Sequence, residues 1–264
     1  MRRREFITLL GGATAMWPLA ARAQTDPIRR IGVLMSLAAD DPEGQARIAA
    51  FLQGLQQLGW TDGRNVRIDT RWATTSAAEI RRHAAELAAL APDVILAAGS
   101  STVGPLLKAT RTVPIVFPSV GDPVGAGFVD SLARPGGNAT GFMQFEYSFS
   151  GKWLELLKEI APGVTQVAVL RDPTGATGIG QFAAIEAVAS LLRVEVISVS
   201  MRDAPEIERS VAAFARSADG GLIVTGATFA QRHRDLIIAL AARHKLPAVY
   251  NNRYFVTAGG LISY

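Results

Sequence analysis

Val94-Ile95-Leu96-Ala97-Ala98, followed at once by Gly99-Ser100-Ser101-Thr102, is the stretch on which the fold turns. Apolar residues without alternation describe a strand covered on both faces, and such strands belong to parallel sheets with helices packed on each side. Glycine and hydroxyl residues at the carboxyl end of the strand mark the place where open α/β sheets bind ligands, because the next helix presents unpaired N–H groups there. The neighbouring sequence repeats this arrangement. Arg30 to Met35 reads as a buried strand, Gly44 to Leu58 as a helix with Ile48, Phe51, Leu52, Leu55 and Leu58 on one face, and Asn65 to Trp72 as a second strand. Glu79 to Leu90 is helical and stops at Ala91-Pro92; Leu106 to Thr110 is a short helix; Pro114 to Phe117 and Ala139 to Met143 are further strands.

An irregular aromatic stretch, Gln144-Phe145-Glu146-Tyr147-Ser148-Phe149, separates this series from a second. The second series opens with a helix from Ser150 to Ile160, its face formed by Trp153, Leu156, Leu157 and Ile160. Strands follow at Val167–Leu170, Val194–Val199, Leu222–Thr225 and Ala248–Tyr250, separated by helices near Gln181–Leu192, Glu206–Arg216 and Gln231–His244. The alternation predicts an α/β fold with parallel sheets covered on both faces, and two such series joined by a connector predict two lobes, residues 28–143 and 150–264, with 144–149 between them.

The chain has 264 residues, nearly half of them apolar, and no cysteine. Disorder is excluded by the apolar content, and thiolate metal sites, disulfide scaffolds and Cys nucleophiles by the missing cysteine. The net charge is +4, but Arg2, Arg3, Arg4 and Arg22 lie in the first 23 residues; the remainder carries 23 basic and 22 acidic residues, which argues against a nucleic-acid partner. Those first residues have the form of an export leader. Arg3-Arg4-Glu5-Phe6-Ile7 fits a twin-arginine signal, an apolar stretch follows, and Ala21-Arg22-Ala23 fits a small-x-small cleavage site. The apolar stretch contains Gly11, Gly12 and Pro18 and falls short of the ~20 residues that span a bilayer. A soluble periplasmic protein and the export machinery as a partner follow as expectations.

Candidate ligand residues sit where strands end. They are Ser36, the run Gly99, Ser100, Ser101 and Thr102, then Ser119 and Asp122, and in the second lobe Asp172, Thr225 and Asn251. Amides and hydroxyls suit a carboxylate, and Asp122 or Asp172 suits an amine. The same residue types also cap helices and shape turns, and only their recurrence at nearly every strand end favours a ligand. Phe142, Phe145, Tyr147 and Phe149 near the connector are placed either to stack on a ring or to pack the hinge. Enzyme signatures are missing: no P-loop, no G-x-G-x-x-G, no G-x-S-x-G and no H-E-x-x-H occurs. His83, His233 and His244 fall in helices beside basic residues and read as solvated. No catalytic residue, metal or cofactor is expected.

Several longer strings resemble a known family. They are Leu58-Gly59-Trp60-Thr61-Asp62-Gly63-Arg64-Asn65-Val66, Arg71-Trp72-Ala73, Pro114-Ile115-Val116-Phe117, Asp122-Pro123-Val124, the run Ser131-Leu132-Ala133-Arg134-Pro135-Gly136-Gly137-Asn138-Ala139-Thr140-Gly141, and Gly259-Gly260-Leu261-Ile262-Ser263-Tyr264. With them the chain resembles the periplasmic substrate-binding proteins of ABC transporters, the group that includes tryptophan and tyrosine binders. The resemblance implies a type I periplasmic-binding-protein fold, with two Rossmann-like lobes and residues 144–149 as a hinge crossover, and no catalysis. It also implies a small solute, such as an amino acid or other carboxylate, captured by a monomer and delivered to an ABC transporter permease in the inner membrane. It implies that the loops at Ser36, Gly99–Thr102, Ser119–Asp122, Phe142, Asp172, Thr225 and Asn251 face the cleft. A sensing module that reports ligand to a membrane receptor is the alternative. Members of the family continue beyond the Ser-Tyr segment through a further helix and a crossover into the first lobe, so the end at Tyr264 is read as a truncation.

Overall fold

A computed structural model describes residues 28–73, 76–217 and 219–264, and the leader expected over residues 1–23 lies outside them. The first series runs β1 (Arg29–Met35), α1 (Pro42–Gln57), β2 (Val66–Trp72), α2 (Ala77–Ala89), β3 (Val94–Ala98), α3 (Ser100–Ala109), β4 (Ile115–Gly121) and β5 (Ala139–Phe145). These strands form one parallel sheet in the order β2-β1-β3-β4-β5. A 3-10 turn, Tyr147–Ser150, leads to the second series: α4 (Gly151–Ile160), β6 (Gln166–Arg171), α5 (Ala176–Ala189), β7 (Glu195–Ser200) and α6 (Ala204–Phe214). It continues with β8 (Gly220–Val224), α7 (Thr228–Arg232), α8 (Arg234–Arg243), β9 (Ala248–Tyr250), α9 (Arg253–Thr257) and β10 (Ile262–Ser263). The second sheet is also parallel, in the order β10-β9-β8-β6-β7.

Alternate side chains of each strand enter opposite layers, as the pleat requires. In the second lobe Leu170, Leu222 and Val224 pack with Ile207 and Ile237 on one face, while Val167, Val169 and Ile223 pack under Trp153, Leu157 and Ile185 on the other. In the first, Leu34, Ile95 and Phe117 meet Leu87 and Leu106, and Val33 and Met35 meet Ile48 and Phe51. Burying each such side chain contributes about 1.5–3 kcal/mol, so these double-sided layers are what hold each lobe. Helix starts are set locally. Asp41 accepts from the N–H groups of Glu43 and Gly44 ahead of α1, and Asp203 accepts from that of Glu206 ahead of α6, each with a proline in the first turn.

Several elements differ from the sequence expectation. The helix expected from Leu106 starts at Ser100, because Gly99 adopts φ +111 and turns the chain directly from β3 into α3. Pro105 lies inside α3 and does not end it. The single helix expected over Gln231–His244 is two, broken at His233, whose ring packs on Phe229 with centroids 4.3 Å apart. Strand β5 continues through Phe145, which pairs with Gly121, so part of the stretch read as irregular is sheet. Leu58 and Ile160, expected on buried helix faces, are exposed, since Leu58 is already the residue after α1 and Ile160 closes α4. His83 is not solvated: its ring lies between Glu79 and Glu86, with Nδ1 3.2 Å from the Glu86 carboxylate.

Candidate functional site

In the first sheet the strand order reverses between β1 and β3, and in the second between β6 and β8. Backbone from two oppositely directed crossovers diverges at such points and leaves a crevice at the carboxyl ends of the strands. The two crevices face each other. Between them lies a cleft of about 520 Å³ whose walls come from both lobes: the start of α3 and a face of α2 on one side, the segment Asp172–Gly178 and the start of α7 on the other. The lobes touch across it where Ser101 Oγ and Thr228 Oγ1 stand 3.3 Å apart. On the flank, Arg234 Nη1 of the second lobe donates to Asp41 Oδ2 of the first at 3.2 Å.

Helices of both lobes begin at this cleft without a side-chain cap, α3 in the first and α5 and the short α7 in the second. α3 follows Gly99 and α5 follows Gly175, and neither start receives a side-chain hydrogen bond; α4, α7, α8 and α9 also lack one, while α1, α2 and α6 are capped by Asp41, Ser76 and Asp203. Uncapped first-turn N–H groups together with the positive end of the helix dipole favour an anion. Arg81, Lys108 and Arg202 add cationic side chains to the lining, and Asp172 is the one carboxylate among the described lining residues. Asp172 is held in place because it accepts from both the N–H and the hydroxyl of Thr174, each at 2.8 Å. Ile80, Phe128, Met201 and Phe229 complete an apolar wall. The combination suits a small molecule with a carboxylate, an amine and an apolar body.

Of the residues singled out from sequence, Ser100, Ser101 and Asp172 line the cleft, and Gly99 lies directly behind it. A Cβ on Gly99 would stand 2.5 Å from Ser36 Oγ, which leaves glycine as the residue that fits here. Ser36 itself is buried, and its backbone N–H donates to Ala98. Thr102 and Thr225 are fully buried, and their hydroxyls donate to the carbonyls of Gly99 and Leu170, each at 2.8 Å. Ser119 donates to Gln144 Oε1. Asp122, at φ +39, accepts from the N–H of Gly125 through one oxygen and from that of Tyr147 through the other, tying the first lobe to the connector. Asn251 sits behind Gly226 with its Oδ1 buried, and Phe142 is 70% exposed on the edge strand β5, away from the cleft lining. Arg81, Lys108, Arg202 and Thr177 were not singled out from sequence, whereas Thr228 belongs to the strand-end run Thr225-Gly226-Ala227-Thr228. On a helix, a charge that faces a cleft and one that faces water leave the same mark in the sequence.

At the connector, burial raises the pKa of Tyr147, whose hydroxyl lies by Thr177 and near the Asp122 carboxylate. A Cβ on Gly180 would enter the Tyr147 ring, so glycine lets α5 approach the 3-10 turn. Burial also lowers the pKa of His233, with Arg232 adding to the effect, and pushes the Tyr250 phenol up to about 12.

The long family strings do folding work at some distance from the cleft. Asn138 donates to the carbonyls of Thr110 and Val113 and accepts from the N–H of Ile115, which aligns β5 on β4. Asn65 closes the turn after α1 by accepting from the Thr61 N–H and donating to the Gly59 carbonyl.

A family model described as "ABC transporter substrate binding protein" matches residues 31–264. The chain belongs to that family. Among relatives of this substrate-binding protein is a tyrosine-binding protein of Clostridioides difficile (strain R20291), 24% identical over 238 residues, which are 90% of this chain and 68% of that protein. A conserved domain protein from Vibrio cholerae superposes with TM-score 0.81 at 25% identity, over 89% of this chain and 78% of the other. An ABC domain in complex with L-Trp from Streptococcus pneumonia gives 0.79 at 22% identity over the same shares. The substrate-binding protein thus has the type I periplasmic-binding-protein fold, two lobes with a parallel sheet in each. Among its described residues no helix is long and apolar enough to cross a membrane.

Proposed function

We propose that this protein captures an amino acid with an apolar or aromatic side chain in the cleft between its lobes and delivers it to an ABC transporter permease. The observation that carries this reading is the pair of uncapped helix starts, α3 and α5, which open onto one cleft from opposite lobes with Asp172 beside them. The carboxylate then lies against the first-turn amides and the hydroxyls of Ser100, Ser101, Thr177 and Thr228, and the ammonium against Asp172. Ile80, Phe128, Met201 and Phe229 hold the side chain. Because such a ligand touches both lobes, it favours the closed arrangement over the open one. The moving bodies are residues 28–143 and 150–264, with 144–149 as the hinge.

The binding of tyrosine and tryptophan named for two relatives supports an aromatic solute. The twin-arginine pattern at Arg3 and Arg4 supports export and action in the periplasm. The reading assigns no catalysis, since binding and release need no nucleophile–base pair. Isothermal titration with tyrosine, tryptophan, phenylalanine, leucine, isoleucine and benzoate tests it. At least one amino acid should bind saturably with one site per chain, and binding should weaken about tenfold or more in Asp172→Asn, where a charged partner of the ammonium is lost. A panel without a single binder overturns the reading.

A further inference from the structure

We propose that Asp41 and Arg234 are positioning residues that latch the lobes together in the absence of solute, so that solute adds to a closure equilibrium already set by the chain. The proposal rests on the reading of a two-lobed solute-binding protein and concerns the regulation of its cleft. Among the described ion pairs this is the one that joins the two lobes; the others lie within one lobe.

Each end of the latch is fixed by its own lobe. Asp41 Oδ1 accepts from the N–H groups of Glu43 and Gly44 as the cap of α1, which leaves Oδ2 directed at Arg234. Arg234 Nη1 also donates to the carbonyl of Gln231 at 3.2 Å, one turn earlier in the second lobe. Closing the lobes therefore freezes little side-chain freedom, the term that cancels most surface ion pairs. The side chains retain 10% and 20% of their exposure, so water and salt screen the pair less than an open one. Competition is slight, because Glu43 is occupied by Arg47 at 2.9 Å and Asp235, 84% exposed, stands 3.9 Å from Arg234 Nε. Neither Asp41 nor Arg234 lines the cleft, so the latch acts on the closure of the lobes and not on the solute.

The cysteine-free chain allows a clean distance measurement. Spin labels on Gln56→Cys in α1 and Glu208→Cys in α6, both exposed positions, report lobe separation by pulsed electron resonance in the ligand-free protein. Asp41→Asn keeps a helix cap but removes the charge, and Arg234→Gln leaves the cap untouched. Each is expected to lower the ratio of closed to open molecules about tenfold, the double variant no further than either single one, with Arg234→Lys recovering part of the loss. High salt should open the unmodified chain and leave the variants unchanged. Unaltered distances in both single variants, or additive shifts in the double variant, overturn the latch. The solute reading is scored separately: shifted distances with no binder in the panel retain the latch and remove the solute, while solute-driven closure that ignores Asp41→Asn does the reverse.

Discussion

The two lobes share one sheet plan but are held together by different forces. In the first, the edge strand β2 carries Arg67, Asp69 and Arg71, and charge links it to its neighbours, Arg30 to Asp69 at 2.7 Å and Arg71 to Glu86 at 3.0 Å, while Arg29 of β1 pairs with Asp93 ahead of β3 at 2.9 Å. In the second, β8 and β9 are buried along their whole length, and the described ion pairs within the lobe are only Lys152 with Glu155 and Arg234 with Asp235. The two sheets thus pair a half-exposed, ionic edge strand in the first lobe with covered, apolar inner strands in the second. The difference lies in position within the sheet, since an edge strand open to water on one face can carry alternating charges and an inner strand covered on both cannot.

This contrast is open to direct attack. The largest effect should come from the apolar lobe: Leu222→Ala, at a fully buried position of β8, is expected to cost about 2–5 kcal/mol in urea unfolding. A cost under about 1 kcal/mol would mean that the second lobe does not rest on its core. Next comes the strand end shared by fold and cleft. Gly99→Ala forces a side chain to φ +111 against Ser36 Oγ and should destabilise by about 1–3 kcal/mol while weakening solute binding, measured on the same sample.

Acid should then separate the lobes. Hydrogen bonds from Arg30 lower the pKa of Asp69; the Arg30 backbone N–H and then the Arg29 guanidinium lower that of Asp93; and Arg71 followed by His83 lower that of Glu86. A carboxylate whose pKa is depressed on folding stabilises the fold above its unfolded pKa and loses that contribution as pH falls through the folded value. The first lobe should therefore weaken below about pH 4, in a window that Asp69→Asn narrows, while amide exchange in β8 and β9 stays protected. Equal acid sensitivity of both lobes would erase the contrast. The smallest effect is expected at Phe142→Ser, within about ±0.5 kcal/mol, because the ring is 70% exposed; a loss of solute affinity there would move the site toward the connector.

Much of the fold was legible in the chain, since strands of the β3 type and helices of one apolar face recur in alternation. What escaped were short or bent elements whose cause is tertiary. The two-residue β10 exists by pairing with β9, and α3 begins at Ser100 because Gly99 adopts a left-handed turn that places it beside Ser36. The cleft was legible as a set of strand ends but not as a set of side chains. Thr225 and Ser101 are both hydroxyl residues after or near a strand end, yet one is spent on the Leu170 carbonyl and the other meets Thr228 across the lobes.

By itself, then, the sequence determined the order of strands and helices, the parallel sense of both sheets and the strand ends where glycine and hydroxyl residues gather, because apolar period and turn residues are local properties. The tertiary structure decided which polar groups remain free for a ligand and which lock the fold, because a hydroxyl or carboxylate is assigned by its neighbour in space. Asp41 shows this most plainly: one oxygen serves the helix that follows it, and the other meets Arg234, 193 residues away in the opposite lobe.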